Sequence, residues 1–280
     1  MTQTALTLIK VSRPLGWLVA PLVFLLGLTA FGSPVTPLAI VQMILLSVPY
    51  CVLLYGTNDR YDYEADKLNP RKPMRDSVEI ETRVFPLVKT LTLFVAVLLM
   101  ISAGLTLNPT NIFAMGILLF FSFFYSAPPL RFKQWPPMDS VSNGILYFYA
   151  PVILGASFGA TIFQIPIQVY FITAGVMGIH SFSTIMDYSA DKLVEERTFA
   201  TVYGKRGAAF FTVCVFVVAY FFSGFQGMIV GYYLLFCVIL AALIILVPSE
   251  KWAQYFFYTI GIGFGVVAVF EVFRYLMYFY

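Results

Sequence analysis

Residues 58–68 read Asn-Asp-Arg-Tyr-Asp-Tyr-Glu-Ala-Asp-Lys-Leu, and a shortened copy, Asp-Tyr-Ser-Ala-Asp-Lys-Leu, follows at residues 187–193. The two copies align from Asp62 onward and differ at one position, where Glu64 is replaced by Ser189. Each copy ends a long apolar run, in a chain in which only 11% of the residues are charged. Two matched acidic clusters in so apolar a sequence indicate a shared chemical role.

The spacing of the carboxylates predicts oxygen-rich faces. On a helix, residues three and four apart share a face, which aligns Asp59, Asp62 and Asp66, and likewise Asp187 and Asp191. Like charges at this spacing repel by about 0.2–0.5 kcal/mol per pair, and by more near an apolar interior. Mg²⁺ relieves such repulsion, since it takes one or two carboxylates, keeps waters and completes its shell with phosphate oxygens. The alternative interpretation is two polar loops solvated at a membrane surface.

Composition predicts an all-α, polytopic membrane protein. The 280 residues are 60% hydrophobic and 18% aromatic, with a mean hydropathy of +0.85, and apolar runs of about 20 residues are typical of membrane-spanning helices. A net charge of +3 is too small and scattered to indicate nucleic acid binding. The single histidine, His180, excludes a His-rich metal centre. We predict nine transmembrane helices, at residues 15–32, 38–57, 84–105, 111–127, 139–160, 165–186, 207–223, 227–247 and 252–276.

The distribution of Lys and Arg predicts the orientation. These residues precede the first predicted span and follow the second, fourth, sixth and eighth, while the turns after the odd-numbered spans up to the seventh contain none. By the positive-inside rule, we expect a cell-membrane protein with a cytoplasmic N-terminus and an external C-terminus. Both acidic clusters then lie at cytoplasmic helix ends, four spans apart. We therefore expect one domain, residues 1–280, built from two parallel, similar halves.

Four stretches of the sequence resemble one known family. Residues 58–66, with the pattern Asn-Asp-x-x-Asp-x-x-x-Asp, and 187–191, with Asp-x-x-x-Asp, resemble the two aspartate-rich motifs of the UbiA family of intramembrane prenyltransferases. Residues 13–17 (Arg-Pro-x-x-Trp) resemble its N-terminal signature, and residues 125–133 its loop after the fourth span. The resemblance covers nearly the whole chain. It implies helices around a central cavity, with a polar cap over the cytoplasmic mouth.

Within this family the sequence is most similar to lycopene elongases, which extend a carotenoid end by a five-carbon unit. The similarity lies in residues 69–72, 139–143, 180–183 and 198–204, whereas residues 192–197 depart from the acidic-basic-glycine run of that group. The resemblance implies Mg²⁺-dependent transfer of a prenyl group from an allylic diphosphate to a lipid-soluble acceptor, with lycopene or a related carotenoid favoured.

Other functions follow from other interpretations of the same clusters. An aromatic or quinone precursor is the alternative acceptor. An ion-coupled secondary transporter is a remote alternative, because intramembrane carboxylates often mark ion paths. For the enzyme, the expected partners are the allylic diphosphate donor, a hydrophobic acceptor taken from the bilayer, and membrane lipids. The sequence indicates neither nucleic acid nor an obligate protein partner.

The resemblance also implies roles for single residues. Metal ions and basic side chains must neutralise the diphosphate as it leaves the allylic cation. The predicted Mg²⁺ ligands are Asn58, Asp59, Asp62, Asp66, Asp187 and Asp191. Four of these, Asp62, Asp66, Asp187 and Asp191, form the predicted catalytic set. The predicted diphosphate- and substrate-binding residues are Asn58, Lys67, Arg71, Tyr125, Arg131, Lys133, Asn143, His180 and Lys192.

Several polar residues have more than one possible role. His180 either accepts the proton lost after attack or lines the acceptor pocket, or is a neutral imidazole bonded to a neighbouring helix. Asp139 is expected to cap a helix start, while Asn143, one turn later, either reaches the cavity or stays within its helix. Glu271 and Arg274, three residues apart, are expected to form a local ion pair.

Overall fold

The computed structural model describes residues 3–68 and 84–279, and this part of the chain is helical, without strands. The helices are α1 (Gln3–Val11), α2 (Val19–Ala30), α3 (Pro37–Leu45), α4 (Val48–Leu68), α5 (Phe85–Leu105), α6 (Pro109–Phe124), α7 (Met138–Gly144), α8 (Ala150–Ala156), α9 (Ile167–Met186), α10 (Tyr188–Leu193), α11 (Phe199–Phe222), α12 (Ile229–Leu246) and α13 (Glu250–Phe279). A π-helix, Ile145–Tyr149, joins α7 to α8. The predicted all-α class is confirmed.

Six helical segments of the described chain are long and apolar enough to cross a membrane: Pro37–Glu64, Phe85–Leu105, Ile167–Met186, Phe199–Phe222, Ile229–Leu246 and Glu250–Phe279. The bent pair α1–α2, with an angle of 47° at its break, counts as a seventh when taken as one span. Helix α6, with 16 residues, is shorter. The membrane-spanning architecture is therefore confirmed, but the predicted count of nine is not reached by this criterion.

The predicted span at 139–160 is interrupted. It consists of α7, the π-helix and α8, and it ends at Ala156. Pro151 has no N–H to donate to the carbonyl of Tyr147 four residues earlier, so a regular α-turn at this point loses a hydrogen bond. The wider turn just before Pro151 accommodates that loss.

Helices α2 and α8 touch through their backbones. A Cβ atom added to Gly27 would lie 2.0 Å from the carbonyl oxygen of Val152, and one added to Gly155 would lie 1.9 Å from that of Phe24. No other residue fits at either position without moving a helix. This contact, which we call the glycine seam (Gly27 and Gly155), is typical of membrane helices, where small residues allow close approach.

The buried apolar residues form two main clusters that meet within α9. The first cluster runs from Ala20 in α2 to Val176 in α9, and the second from Phe182 in α9 to Ile260 in α13. The junction lies between Val176 and Phe182, and the C-terminal end of α9, which leads to the second acidic motif, packs in the second cluster.

Candidate active site

The first acidic motif lies on the last turns of α4. The helix is continuous to Leu68, so Asp59, Asp62 and Asp66 lie on successive turns, as the spacing predicts. Asp62 is 1% exposed, and the half-buried Asp66 is close enough to act electrostatically on its carboxylate. The buried carboxylate of Asp59 accepts a hydrogen bond of 2.9 Å from the guanidinium of Arg13.

The loop after α6 brings two cations to Asp62. The backbone N–H of Lys133 donates to the carbonyl of Tyr125 at 3.0 Å, and that of Arg131 to the carbonyl of Ala127 at 3.0 Å, so the loop folds back on the end of α6. The Lys133 Nζ lies 2.7 Å from Asp62 Oδ1, and the Arg131 guanidinium lies 3.2 Å from the same oxygen.

Lys133 also connects the first motif to the second. Its Nζ contacts the carboxylate of Glu196, whose backbone N–H donates to the carbonyl of Asp191 at 2.8 Å. Burial alone would lower the pKa of Lys133. The carboxylates of Asp62 and Glu196 together raise it by more, so the pKa of Lys133 lies above the ordinary lysine value. Lys133 is therefore a permanent cation, and we call Asp62, Lys133 and Glu196 the bridging triad.

The second motif is bent rather than straight. Helix α9 ends at Met186, Asp187 has the non-helical torsions φ −106° and ψ 5°, and α10 begins at Tyr188. One helical hydrogen bond survives the bend, from the Asp191 N–H to the Asp187 carbonyl at 2.8 Å. Asp191 is buried, whereas Asp187 is half-buried. The two carboxylates stay neighbours, but not on one regular helix face.

His180 is held by hydrogen bonds to two neighbouring elements. Its Nε2 lies 3.2 Å from the hydroxyl of Tyr125, and its Nδ1 lies 3.2 Å from the Oγ of Ser140. Asn143 donates to the Asp139 carbonyl at 2.8 Å and also hydrogen-bonds Tyr125. The two contacts of His180 match its interpretation as an imidazole bonded to neighbouring segments. It connects α9, α7 and the loop after α6 directly below the bridging triad.

Asp139 is the second residue of α7 rather than its N-cap, but its carboxylate accepts from backbone N–H groups at two helix starts. Its Oδ1 accepts from the N–H of Ser140 at 2.6 Å, at the start of its own helix. Its Oδ2 accepts from the N–H of Phe199 at 3.0 Å, at the start of α11. One buried carboxylate therefore satisfies unpaired donors at two helix N-termini and fixes α11 against α7.

Four predicted binding residues lie away from these buried contacts or outside the described chain. Lys67 is exposed and pairs with Glu64 at 3.6 Å. Lys192 is exposed, with its Nζ 5.1 Å from the centre of the Tyr188 ring. Asn58 is half-buried on α4. Arg71 lies outside the described residues.

Sequence reasoning missed Arg13 and Glu196 as members of the site. The Arg13 guanidinium lies 4.4 Å from the centre of the Tyr55 ring, and the Tyr55 hydroxyl lies 3.0 Å from that of Tyr147. Arg13 belongs to the segment that resembles the family's N-terminal signature, and this was the available signal. Glu196 lies in the run that departs from the expected pattern, where no signal was available.

The donor chemistry of these residues fits a hard divalent cation. Within residues 3–68 and 84–279, no three or more His, Cys, Asp or Glu side chains are grouped closely enough to hold a metal ion. The acidic side chains offer oxygen atoms only, and both ring nitrogens of His180 face protein hydroxyls. Oxygen-only ligands suit Mg²⁺. In this structure Arg13 and Lys133 neutralise the carboxylates of Asp59 and Asp62.

An apolar cavity lies within the bundle and stops short of the acidic motifs. It has a volume of about 400 Å³ and lies between α2, the π-helix and α8, α9, α11, α12 and α13. Its walls include Leu26, Phe148, Ile172 and Phe264, and it reaches Ile179, the residue before His180. A cavity of this size is typical of a site for a small ligand.

The comparisons with known proteins agree with this arrangement. The sequence matches the UbiA prenyltransferase family over residues 13–272. The chain belongs to this family. The predicted class of enzyme, a UbiA-type prenyltransferase, is confirmed.

Similar UbiA proteins include named carotenoid enzymes. A lycopene elongase/hydratase of Haloarcula japonica is 31% identical over 232 residues, which cover 81% of this chain and 77% of the relative. A lycopene elongase/hydratase of Corynebacterium glutamicum is 28% identical over 228 residues, which cover 74% of this chain and 73% of the relative.

Solved structures show the same fold at lower sequence identity. A UbiA homologue from Archaeoglobus fulgidus bound to DMAPP and Mg²⁺ gives a TM-score of 0.70 at 17% identity, covering 97% of this chain and 99% of the other. A digeranylgeranylglyceryl phosphate synthase gives a TM-score of 0.74 at 16% identity, and the match covers 99% of this chain and 100% of the other. At these identities the likeness concerns the UbiA fold alone.

Proposed function

We propose that this UbiA-family chain uses Mg²⁺ to transfer a short prenyl group from an allylic diphosphate to an apolar acceptor, lycopene or a related carotenoid. The observation that carries the proposal is the bridging triad, in which Lys133 connects the first acidic motif to the segment that follows the second. The relatives named lycopene elongase/hydratase support the acceptor. The fold neighbour bound to DMAPP and Mg²⁺ supports the donor and the metal.

The charged residues divide between the metal and the diphosphate. Asp62, Asp66 and Asp191 would hold Mg²⁺, with Asn58, Asp59 and Asp187 completing the predicted set. Bound Mg²⁺ would neutralise the diphosphate and so make it a better leaving group. Lys133 and Arg131 would turn from Asp62 to the diphosphate oxygens, since Arg and Lys donate charge-assisted hydrogen bonds to phosphate.

The neutral residues below the triad separate the reacting carbons from water. Tyr125 and His180, whose side chains are 3.2 Å apart, would lie between the diphosphate and the reacting carbons. An allylic cation formed there would meet the acceptor rather than water, because the cavity walls are mostly hydrocarbon.

The cavity walls favour a hydrocarbon acceptor over an aromatic acid. An aromatic carboxylate needs a cation or several donors when it is buried. The cavity is instead lined mainly by aliphatic and aromatic side chains, and Glu271 is the acidic residue among them. Arg274 already pairs with Glu271, so it does not offer its charge to the carboxylate of an acidic acceptor.

The test uses the full chain in membranes with dimethylallyl diphosphate, Mg²⁺ and either lycopene or an aromatic acid. We expect a prenylated carotenoid by mass spectrometry, and no product after Mg²⁺ is removed by a chelator. Asp62→Asn and Asp191→Asn should each stop diphosphate release. Glu64→Ser is the matched control, because Glu64 is 85% exposed and the second motif carries serine there; this variant should stay active.

Two results would contradict the proposal. Conversion of the aromatic acid alone would replace the carotenoid by the alternative acceptor. Full turnover by Asp62→Asn would show that this carboxylate is not a metal ligand.

A further inference from the structure

The apolar cavity extends far from the acidic motifs. Along α9 it runs from Gln168 to Ile179, about 16 Å at 1.5 Å per residue. Helix α13 begins beside the second motif, where Glu250 contacts Ser189, and Glu271 lies about 32 Å further along the same helix. The cavity stops at Ile179 on α9, eight residues before Asp187, and its lining on α13 runs from Phe264 to Tyr275, so it lies in the part of the bundle away from the acidic motifs.

Two buried polar atoms on the cavity wall have no hydrogen-bond partner among the residues that the structure describes. Glu271 is 4% exposed; its Oε2 accepts from Arg274 Nε at 2.7 Å, while its Oε1 is unpaired. Ser223, at the end of α11, is 1% exposed, and its Oγ is also unpaired. Leaving such a group unsatisfied is unfavourable, so a ligand that supplies the missing partner is favoured. The proposed prenyl transfer uses neither residue.

The chemistry of these atoms selects the ligand that would satisfy them. A carboxylate oxygen only accepts hydrogen bonds, so the Oε1 of Glu271 needs a donor. Arg274 already balances the charge of Glu271, so a neutral donor suits the site better than a cation, and an anionic group such as a diphosphate is disfavoured. A hydroxyl both donates and accepts, which matches Glu271 and Ser223 together.

We propose that this cavity binds an apolar chain that carries a hydroxyl group, and that Glu271 Oε1 accepts the hydrogen bond of that hydroxyl. Ser223 is the second polar residue that can serve the same group. The walls between Leu26 and Phe264 enclose the chain. The site concerns a neutral alcohol rather than the allylic diphosphate, and it does not depend on the proposed reaction.

The experiment measures binding without any diphosphate. The full-length chain in lipid nanodiscs is titrated with an acyclic isoprenoid alcohol, with the hydrocarbon of the same carbon skeleton and with a diacylglycerol, and bound ligand is counted by native mass spectrometry. We expect an alcohol to bind the unmodified chain about 10-fold more tightly than the hydrocarbon. The alcohol that binds more tightly, either the isoprenoid alcohol or the diacylglycerol, identifies the source of the hydroxyl group.

Variants assign the preference to the two side chains. The pair Glu271→Met with Arg274→Met removes the acceptor without leaving an unpaired arginine, and it should reduce alcohol binding to the level of the hydrocarbon. Ser223→Ala is the milder variant, and we expect a loss of about 3-fold or more. Thr92→Val is the matched control: it removes a buried, unpaired hydroxyl that lines a different pocket, and the preference should survive.

Equal binding of alcohol and hydrocarbon by the unmodified chain would overturn the inference, as would an equal loss in Thr92→Val. Asp62→Asn separates this inference from the proposed function. That variant should lose prenyl transfer while its preference for the alcohol persists. A chain without any transferase activity that still prefers the alcohol would refute the proposed function and leave this inference standing.

Discussion

Replacement of Lys133 by methionine tests whether one cation holds the two acidic motifs together. Methionine keeps much of the length and the apolar stem of lysine but removes the charge. The change leaves Asp62 with Arg131 as its cationic neighbour at 3.2 Å and takes the lysine partner from Glu196. We expect a less stable protein in the absence of Mg²⁺ and diphosphate.

The geometry gives the size of the effect. At 2.7 Å, the attraction between Lys133 and Asp62 is about 6 kcal/mol for an effective dielectric constant of about 20. Desolvation of both groups offsets part of this attraction, and loss of one partner from a buried pair costs about 3–5 kcal/mol. Lys133 is 10% exposed and Asp62 1%, so this range applies to them.

Lys205 supplies the matched control. Its Nζ also lies 2.7 Å from a carboxylate, that of Glu250, but these side chains are 24% and 22% exposed. More exposed pairs are worth about 0–1 kcal/mol, so Lys205→Met should have little effect. The comparison separates burial from distance, because the two ion pairs have the same length.

The effect of Lys133 should be independent of pH in the neutral range. Its two carboxylate partners outweigh burial and raise its pKa above the ordinary lysine value of 10.5. A raised lysine pKa means that the stabilisation is fully present below the unfolded-state pKa and is lost only as the pH rises through the still higher folded-state pKa. From about pH 6 to pH 9, Lys133→Arg should therefore have the same pH–stability profile as the unmodified chain.

Equilibrium unfolding in mixed micelles measures these differences, and isothermal titration measures Mg²⁺ binding. We expect Lys133→Met to lose about 3 kcal/mol or more of stability, as for a broken buried pair, and to regain part of it on addition of Mg²⁺. A stability within about 0.5 kcal/mol of the unmodified chain, the range of ordinary surface substitutions, would refute the reasoning.

Two further predictions concern the framework of the site. Gly155→Ala places a Cβ atom 1.9 Å from the carbonyl oxygen of Phe24. We expect a lower yield of folded protein and a fall in stability of about 3 kcal/mol or more, because the contact is overpacked. Gly261→Ala is the control: its Cβ atom would have nothing within 4 Å, so thermal unfolding in detergent should show no change in yield or stability. Asp139→Ala leaves the N–H of Phe199 without this acceptor and should lower the free energy of unfolding by about 1–3 kcal/mol. Asp139→Asn keeps one acceptor oxygen and should lower it by less. Equal losses of stability in the two variants would contradict the capping role.

The sequence predicted those features of the fold that depend on local pattern. Apolar runs gave the all-α membrane class, and the aspartates at three- and four-residue spacing on α4 share a face, as expected. The interruption by Ile145–Tyr149 was not foreseen, since a π-turn leaves the hydropathy of a segment unchanged. The bend at Asp187 was missed for a similar reason, because helical spacing alone does not reveal where a helix ends.

The site was harder to predict because its contacts join distant residues. The loop position of Lys133 was expected at the mouth of the site, but its contact with Glu196 depends on how the segment after α10 folds back. Arg13 reaches Asp59 from the other end of the sequence. The metal ligands, the orientation in the membrane and the two-halves organisation stay predictions.

The glycine seam has a mechanical consequence for how a ligand enters. Where Gly27 meets Val152 and Gly155 meets Phe24, one main chain rests directly on another, with no intervening layer of side chains that could compress or swing aside. That wall of the cavity is stiff. Any widening that admits a long hydrocarbon from the bilayer must come from the facing wall, where α12 and α13 meet through larger, rotatable side chains such as Tyr233.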